Sequence, residues 1–111
     1  AAAKAAADSA TKAWSKAELM AQGEGVYNTN CAGCHKKDGS GMPPIFPAMT
    51  GSPIANGAPA DHISIVLHGK GGMPTFKMLG DADLAAVITY ERNAFGNTGS
   101  VVQPSDVTSA R

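Results

Sequence analysis

The sequence predicts an all-α domain with three main helices joined by two long loops. Three stretches, 14–30, 59–68 and 81–95, place apolar residues three and four apart, and each opens on a capping residue or a proline. The segments between them are rich in glycine and proline, and no strand pattern of the βαβ kind appears.

Residues 1–13 are mostly alanine, interrupted by Lys4, Asp8, Ser9, Thr11 and Lys12. Alanine favours helix, but a short helix with no apolar face is marginal in water. The segment reads as a linker or frayed helix, or as a ragged terminus. In 14–30, Ser15 and Glu18 form a capping-box pair, and Trp14 and Leu19 stand at the staple positions. Leu19, Gly23, Val26, Tyr27 and Asn30 share one face. A glycine inside a helix costs about 1 kcal/mol against alanine, so Gly23 predicts a close approach by another helix. Helix 59–68 starts on Pro59, carries the stripe Ile63, Val66 and Leu67, and stops at Gly69. Its His62 and His68 are expected at the surface or at the edge of a cofactor. In 81–95, Asp81 is the expected N-cap, and Leu84, Val87, Ile88 and Phe95 form a face expected to pack on Gly23 and Tyr27. Residues 97–111 are polar and aperiodic, and are expected as an extended tail over the surface.

A chain of 111 residues is one domain, and with 5% aromatic residues it has a thin core of its own. Nine basic residues balance nine acidic ones, which argues against a nucleic-acid binder and for weak charge steering of any partner. There is no run of 18 apolar residues and no signal-peptide h-region, so an export signal or anchor is expected outside this sequence.

The first helix runs directly into Cys31-Ala32-Gly33-Cys34-His35, the C-x-x-C-H signature of covalent c-type haem attachment. Three other readings compete. A disulfide between these cysteines would close a tiny loop and constrain little. A thioredoxin-like pair needs a neighbouring βαβ pattern. A zinc site would need His62 and His68, but the gap from Cys34 to His62 far exceeds the roughly 12–15 residues expected. The loop 36–57, with four glycines and four prolines, is long enough to wrap a cofactor. A histidine ligand donates its other ring N–H to a carbonyl, and Pro44, nine residues after His35, is a candidate acceptor on a rigid turn. The competing reading of Pro43-Pro44 is a stiff extended segment.

The loop 70–80 holds Met73 between Gly72 and Pro74. A thioether opposite histidine is a known haem ligation. Of the five methionines, Met20 precedes the motif and Met42 lies too close after His35 to cross a ring. Met49 and Met78 are expected as apolar filler, with Met78 the main rival to Met73.

From about residue 15 to 95 the chain resembles a class I cytochrome c. The resemblance rests on Gly23, Tyr27 and Cys31 at steps of four, the Cys31–His35 motif, Pro44, Gly72-Met73-Pro74, and Leu84 through Tyr90. It implies electron transfer by three main helices around one covalently bound haem c. Cys31 and Cys34 would be the thioether anchors, His35 and Met73 the iron ligands, and Pro44 the buttress of His35. Covalent haem implies assembly outside the cytoplasm.

A narrower likeness runs through Ile54, His62-Ile63, residues 66–70, Met73-Pro74, Phe76, residues 83–93, 95–97 and Val102-Gln103-Pro104-Ser105-Asp106-Val107. Here the chain resembles the cytochrome c domain at the C-terminus of bacterial cytochrome c oxidase subunit II. That implies a linker at 1–13, the haem domain at 14–96 and a tail at 97–111. It also implies three sets of partners: an electron donor protein, the copper-binding domain of the same subunit, and the membrane subunits of the oxidase. The domain would do no bond-making chemistry. It would relay electrons to the dinuclear copper centre, on the periplasmic side or outer face of the cytoplasmic membrane. A free periplasmic monohaem shuttle needs only residues 15–95. A haem enzyme or gas sensor would need an open iron position.

Overall fold

The computed structural model describes residues 13–42 and 45–111. It contains α1 (Lys16–Asn30), a single turn α2 (Ala32–His35), α3 (Pro59–His68), α4 (Asp81–Asn93) and α5 (Pro104–Ala110). Among the described residues the only β-type pairings are the isolated bridges Met42 with Phe46 and Lys70 with Met73. The Ala-rich segment expected as a linker lies, but for Ala13, outside the described residues.

Helix α1 starts as its sequence dictates. Ser15 Oγ accepts from the Glu18 N–H at 3.1 Å, and Glu18 Oε1 accepts from the Ser15 N–H at 2.9 Å. The buried face is Leu19, Gly23 and Tyr27. It crosses α4, whose Leu84 through Thr89 are buried almost completely. A Cβ on Gly23 would sit 2.1 Å from the Ala86 carbonyl oxygen and 2.7 Å from Tyr90 Cβ. Only a hydrogen at this position lets the two backbones touch, which is the close approach expected of Gly23. Tyr27, Tyr90 and Phe95 close one end of the crossing, with ring centroids 5.2–5.5 Å apart. Gln22 Nε2 donates to Asp83 Oδ1 at 2.7 Å and fixes the register.

Helix α4 departs from expectation at both ends. Gly80 occupies the cap position, and Asp81 is the first helical residue. The Asp81 carboxylate is spent elsewhere, accepting from Thr108 Oγ1 and from Arg111 Nε. The helix stops at Asn93, and Phe95 turns back onto the rings with φ +58°.

The tail is not extended. Pro104 opens α5, and Gln103 and Asp106 form a reciprocal capping box. Val102, Pro104 and Val107 are buried. Thr89 Oγ1 donates to the Val102 carbonyl at 3.1 Å and accepts from its N–H at 3.0 Å. The Gln103 side chain clasps Trp14 twice, accepting from its N–H at 2.8 Å and donating to its carbonyl at 2.9 Å. A helix this short draws its stability from packing, so its sequence carries almost no periodic signal.

The long loops are held by buried polar side chains. Arg92, 1% exposed, donates to the carbonyls of Ile54 (3.3 Å), Gly57 (2.6 Å) and Ser100 (2.8 Å). Asn97 donates to the carbonyls of Met49 (2.7 Å) and Glu91 (2.8 Å) and accepts from the N–H of Gly51 (2.9 Å) and from Asn56 Nδ2 (3.0 Å). Loop 49–57 is thereby stapled to the end of α4.

Gly23→Ala should destabilise the domain by about 2 kcal/mol or more, because a methyl against a backbone carbonyl costs more than the roughly 1 kcal/mol gained in helix propensity. Denaturant unfolding checks this, and an unchanged midpoint would mean that the helices are not so close. Partial burial raises the Asp81 carboxyl, but hydrogen bonds from Thr108 and Arg111 outweigh it and hold the group below the usual aspartate range. The contribution of this clasp is therefore full above the unfolded aspartate value and fades as pH falls through the folded one. Asp81→Asn should flatten the acid limb of the stability curve.

Candidate functional site

The end of α1 delivers Cys31, and the single turn α2 carries Cys34 and His35 back over it. The N–H groups of Cys34 and His35 both donate to the Cys31 carbonyl, at 3.2 and 3.0 Å. The turn places Cys34 exposed and His35 buried, three and four residues after Cys31. Both cysteines are free thiols, with Cys34 exposed and Cys31 half-buried. Burial, with the nearby Glu91 charge adding, pushes the Cys31 thiol up to about 12. The neighbouring Cys34 is the more accessible of the two thiols.

His35 is buried, 9% exposed. Its Nδ1 lies 2.7 Å from the carbonyl oxygen of Pro47, which makes Nδ1–H the donor and leaves Nε2 as the free lone pair. The acceptor expected at Pro44 is thus supplied three residues later by Pro47, and Pro44 itself lies outside the described residues. Gly41 makes this possible. Its φ is +63°, and a Cβ there would stand 2.5 Å from the Phe46 carbonyl oxygen and 2.7 Å from that of Pro47. The Gly41 N–H also donates to the His35 carbonyl at 2.9 Å. The Tyr27 hydroxyl donates to the Lys36 carbonyl at 2.7 Å, holding Lys36 at φ +65° just past the histidine. Burial, with the Glu91 charge adding, raises the Tyr27 phenol well above its ordinary value, so it stays a donor.

Met73 is on a separate loop. It is half-buried and packs, with Phe76 and Leu79, on the same core that Cys31 and Ala32 touch. A tight turn presents it: the Lys70 N–H donates to the Met73 carbonyl at 3.2 Å, and the Met73 N–H donates back at 2.9 Å. A Cβ on Gly69 (φ +79°) would lie 2.7 Å from the Met73 carbonyl oxygen. Met78, expected as apolar filler, is instead 72% exposed. Met49 is half-buried against the core, as expected of a filler.

The zinc alternative does not assemble. His62, expected at the surface, is buried at 4% exposure with Nε2 3.1 Å from Glu91 Oε1, and His68 is exposed. No group of three or more His, Cys, Asp or Glu fit to hold a metal ion occurs among the described residues. The donor set does fit a haem: two thiols, an imidazole with a fixed tautomer and a thioether on a second loop. The exposed large apolar side chains among the described residues fall on these same two loops: Met42, Ile45, Phe46 and Met78. Four lysines, Lys36, Lys37, Lys70 and Lys77, face solvent on them as well. No helix among the described residues is long and apolar enough to cross a membrane.

Pro47, Gly41, Arg92 and Asn97 escaped the sequence reading. Gly41 and Pro47 figured there only as turn residues of the loop expected to wrap a cofactor, and Arg92 and Asn97 only as letters of the narrower likeness, with no role given to any of them.

Residues 18–90 match the family model described as cytochrome C oxidase, cbb3-type, subunit III. The chain is 32% identical over 103 residues to the cytochrome c subunit of an alcohol dehydrogenase (quinone) from Gluconobacter oxydans, covering 80% of this chain and 22% of that protein. It is 34% identical over 119 residues to the gluconate 2-dehydrogenase cytochrome c subunit of Pantoea cypripedii, covering 94% of this chain and 27% of that one. It is 30% identical over 98 residues to cytochrome c-552 of Thermus thermophilus, covering 74% of each. The chain thus spans about a quarter of the length of the dehydrogenase subunits and most of the length of cytochrome c-552. It belongs to the cbb3-type subunit III family of class I cytochrome c domains, electron carriers with covalently bound haem c.

Proposed function

We propose that this domain relays single electrons within a larger redox assembly, through a haem c anchored by Cys31 and Cys34 and ligated by His35 and Met73. The observation that carries this reading is the His35 ring: Nδ1–H is committed to the Pro47 carbonyl, so Nε2 is the basic nitrogen. Bound haem c supplies an iron centre that cycles by one electron. The chain's own work is to hold that centre still. His35 is buried and hydrogen-bonded, and Met73 sits on a turn pinned to the core. A soft thioether favours the reduced state and leaves no open position for substrate.

For the assembly, we propose the cytochrome c domain of cytochrome c oxidase subunit II, passing electrons to the dinuclear copper centre on the periplasmic side. The copper-binding domain of the same subunit and the oxidase membrane subunits would be its partners. Support comes from the tail, where the narrower likeness rests: residues 102–107 include buried Val102 and Val107 and the Gln103 clasp on Trp14. A second reading, a cytochrome subunit serving a dehydrogenase, is supported by the two dehydrogenase relatives. The reduced, haem-loaded protein mixed with an oxidised dinuclear-copper domain in a stopped-flow cell separates the two. Rapid oxidation is expected, and no transfer to the copper domain alongside rapid reduction by a dehydrogenase subunit would reverse the assignment.

Met73→Ala should abolish the sulfur-to-iron charge-transfer band while Met78→Ala retains it. Loss in the second variant alone would overturn the ligand assignment. Gly41→Ala should displace the Pro47 carbonyl from His35, lowering imidazole basicity and raising the reduction potential relative to wild type. Zero net charge implies weak steering, yet the exposed lysines lie on the two ligand loops. Electron transfer to an acidic partner face should therefore slow several-fold between about 10 and 200 mM salt, and a flat salt profile would restore the weak-steering view.

A further inference from the structure

We propose that Arg111 is a positioning residue for the Met73 loop, latching the loop's far arm so that Met73 is held inward and Met78 is held out. The inference rests on the reading of Met73 as an iron ligand. The near arm of the loop is pinned independently. Lys70 and Met73 exchange hydrogen bonds, the Phe76 N–H donates to the Val66 carbonyl at 2.9 Å, and Thr75 Oγ1 donates to the Leu67 carbonyl. Beyond Phe76 the backbone bonds are local: Lys77 N–H to Thr75 Oγ1 at 3.2 Å and Leu79 N–H to the Phe76 carbonyl at 3.0 Å.

The long-range bonds to residues 77–79, among the described residues, come from Arg111. Its Nη1 donates to the Lys77 carbonyl at 2.8 Å and its Nη2 to the Leu79 carbonyl at 2.6 Å. Its Nε donates to Asp81 Oδ1 at 2.5 Å. One planar fork thus grips the residue on either side of Met78 and the first residue of α4, a geometry that lysine cannot reproduce. With both flanking carbonyls turned to Arg111, the Met78 side chain projects into solvent, 72% exposed, while Met73 stays half-buried on the core. The grip is anchored in turn. Thr108 on α5 donates to Asp81, and Pro104 and Val107 seat α5 in the core.

The test uses haem-loaded wild-type, Arg111→Ala, Arg111→Lys, Ser15→Ala and Met73→Ala proteins. Two things are read: the sulfur-to-iron charge-transfer band of the ferric protein, and the rate at which imidazole enters the iron position. Arg111→Ala should keep the band at rest but admit imidazole roughly threefold to tenfold faster, the scale of a few part-exposed charge-assisted hydrogen bonds. Arg111→Lys should fall between it and wild type. Ser15→Ala weakens the domain at the far end of α1 and should leave the entry rate unchanged. Equal acceleration in Ser15→Ala would make the effect general loosening and overturn the latch. A wild-type rate in Arg111→Ala, with the band lost in Met73→Ala, would overturn the latch while leaving the ligand reading intact. Retention of the band in Met73→Ala would overturn both.

Discussion

The structure depends on the contact between α1 and α4 at Gly23. Two helix backbones meet there with no side chain between them. The cysteine motif and the loop that holds the His35 ring hang from these two rods, while the Met73 loop is pinned to α3. The C-terminal end of α1 becomes the cysteine motif, and Tyr27, one turn before it, reaches forward to hold Lys36. The C-terminal half of α4 supplies Arg92, and Asn97 follows it, so together they hold the loop beyond His35. A shift of one helix along the other would move the sulfurs relative to the loops that must close around them.

Much of this was legible in the residues. The capping box at Ser15, the start of α3 at Pro59 and its stop at Gly69, and the need for a close neighbour at Gly23 follow from local chemistry. The structure reproduces each of them. What could not be read is what depends on distant partners. Asp81 looks like a cap because aspartate is a favoured cap residue, but the cation of Arg111, just past α5, claims its carboxylate. Helix α5 is invisible to periodicity because it is seven residues long and is stabilised by burial of Pro104 and Val107.

The site shows the same division. The cysteine pair and His35 are contiguous, so their chemistry is written in five letters. The acceptor for His35 is a backbone carbonyl, and every residue has one. Pro44 was a reasonable candidate, and Pro47 is selected by the left-handed turn at Gly41 that folds the chain back under the imidazole. His62 was misplaced for a related reason. Its burial is balanced by Glu91, twenty-nine positions away, and no local pattern announces that pairing.

The pairing of α1 with α4 has a kinetic side. The Gln22–Asp83 bond that fixes their register joins residues 61 positions apart, and the Trp14–Gln103 clasp spans 89. An ordinary helical bundle assembles from neighbours in sequence. Here the first helix must wait for a partner more than half the chain away, and the intervening loops must be closed against their entropy before the contact rewards it. The domain is helical in composition but non-local in topology. That topology argues for slower folding than in a bundle of sequence-adjacent helices.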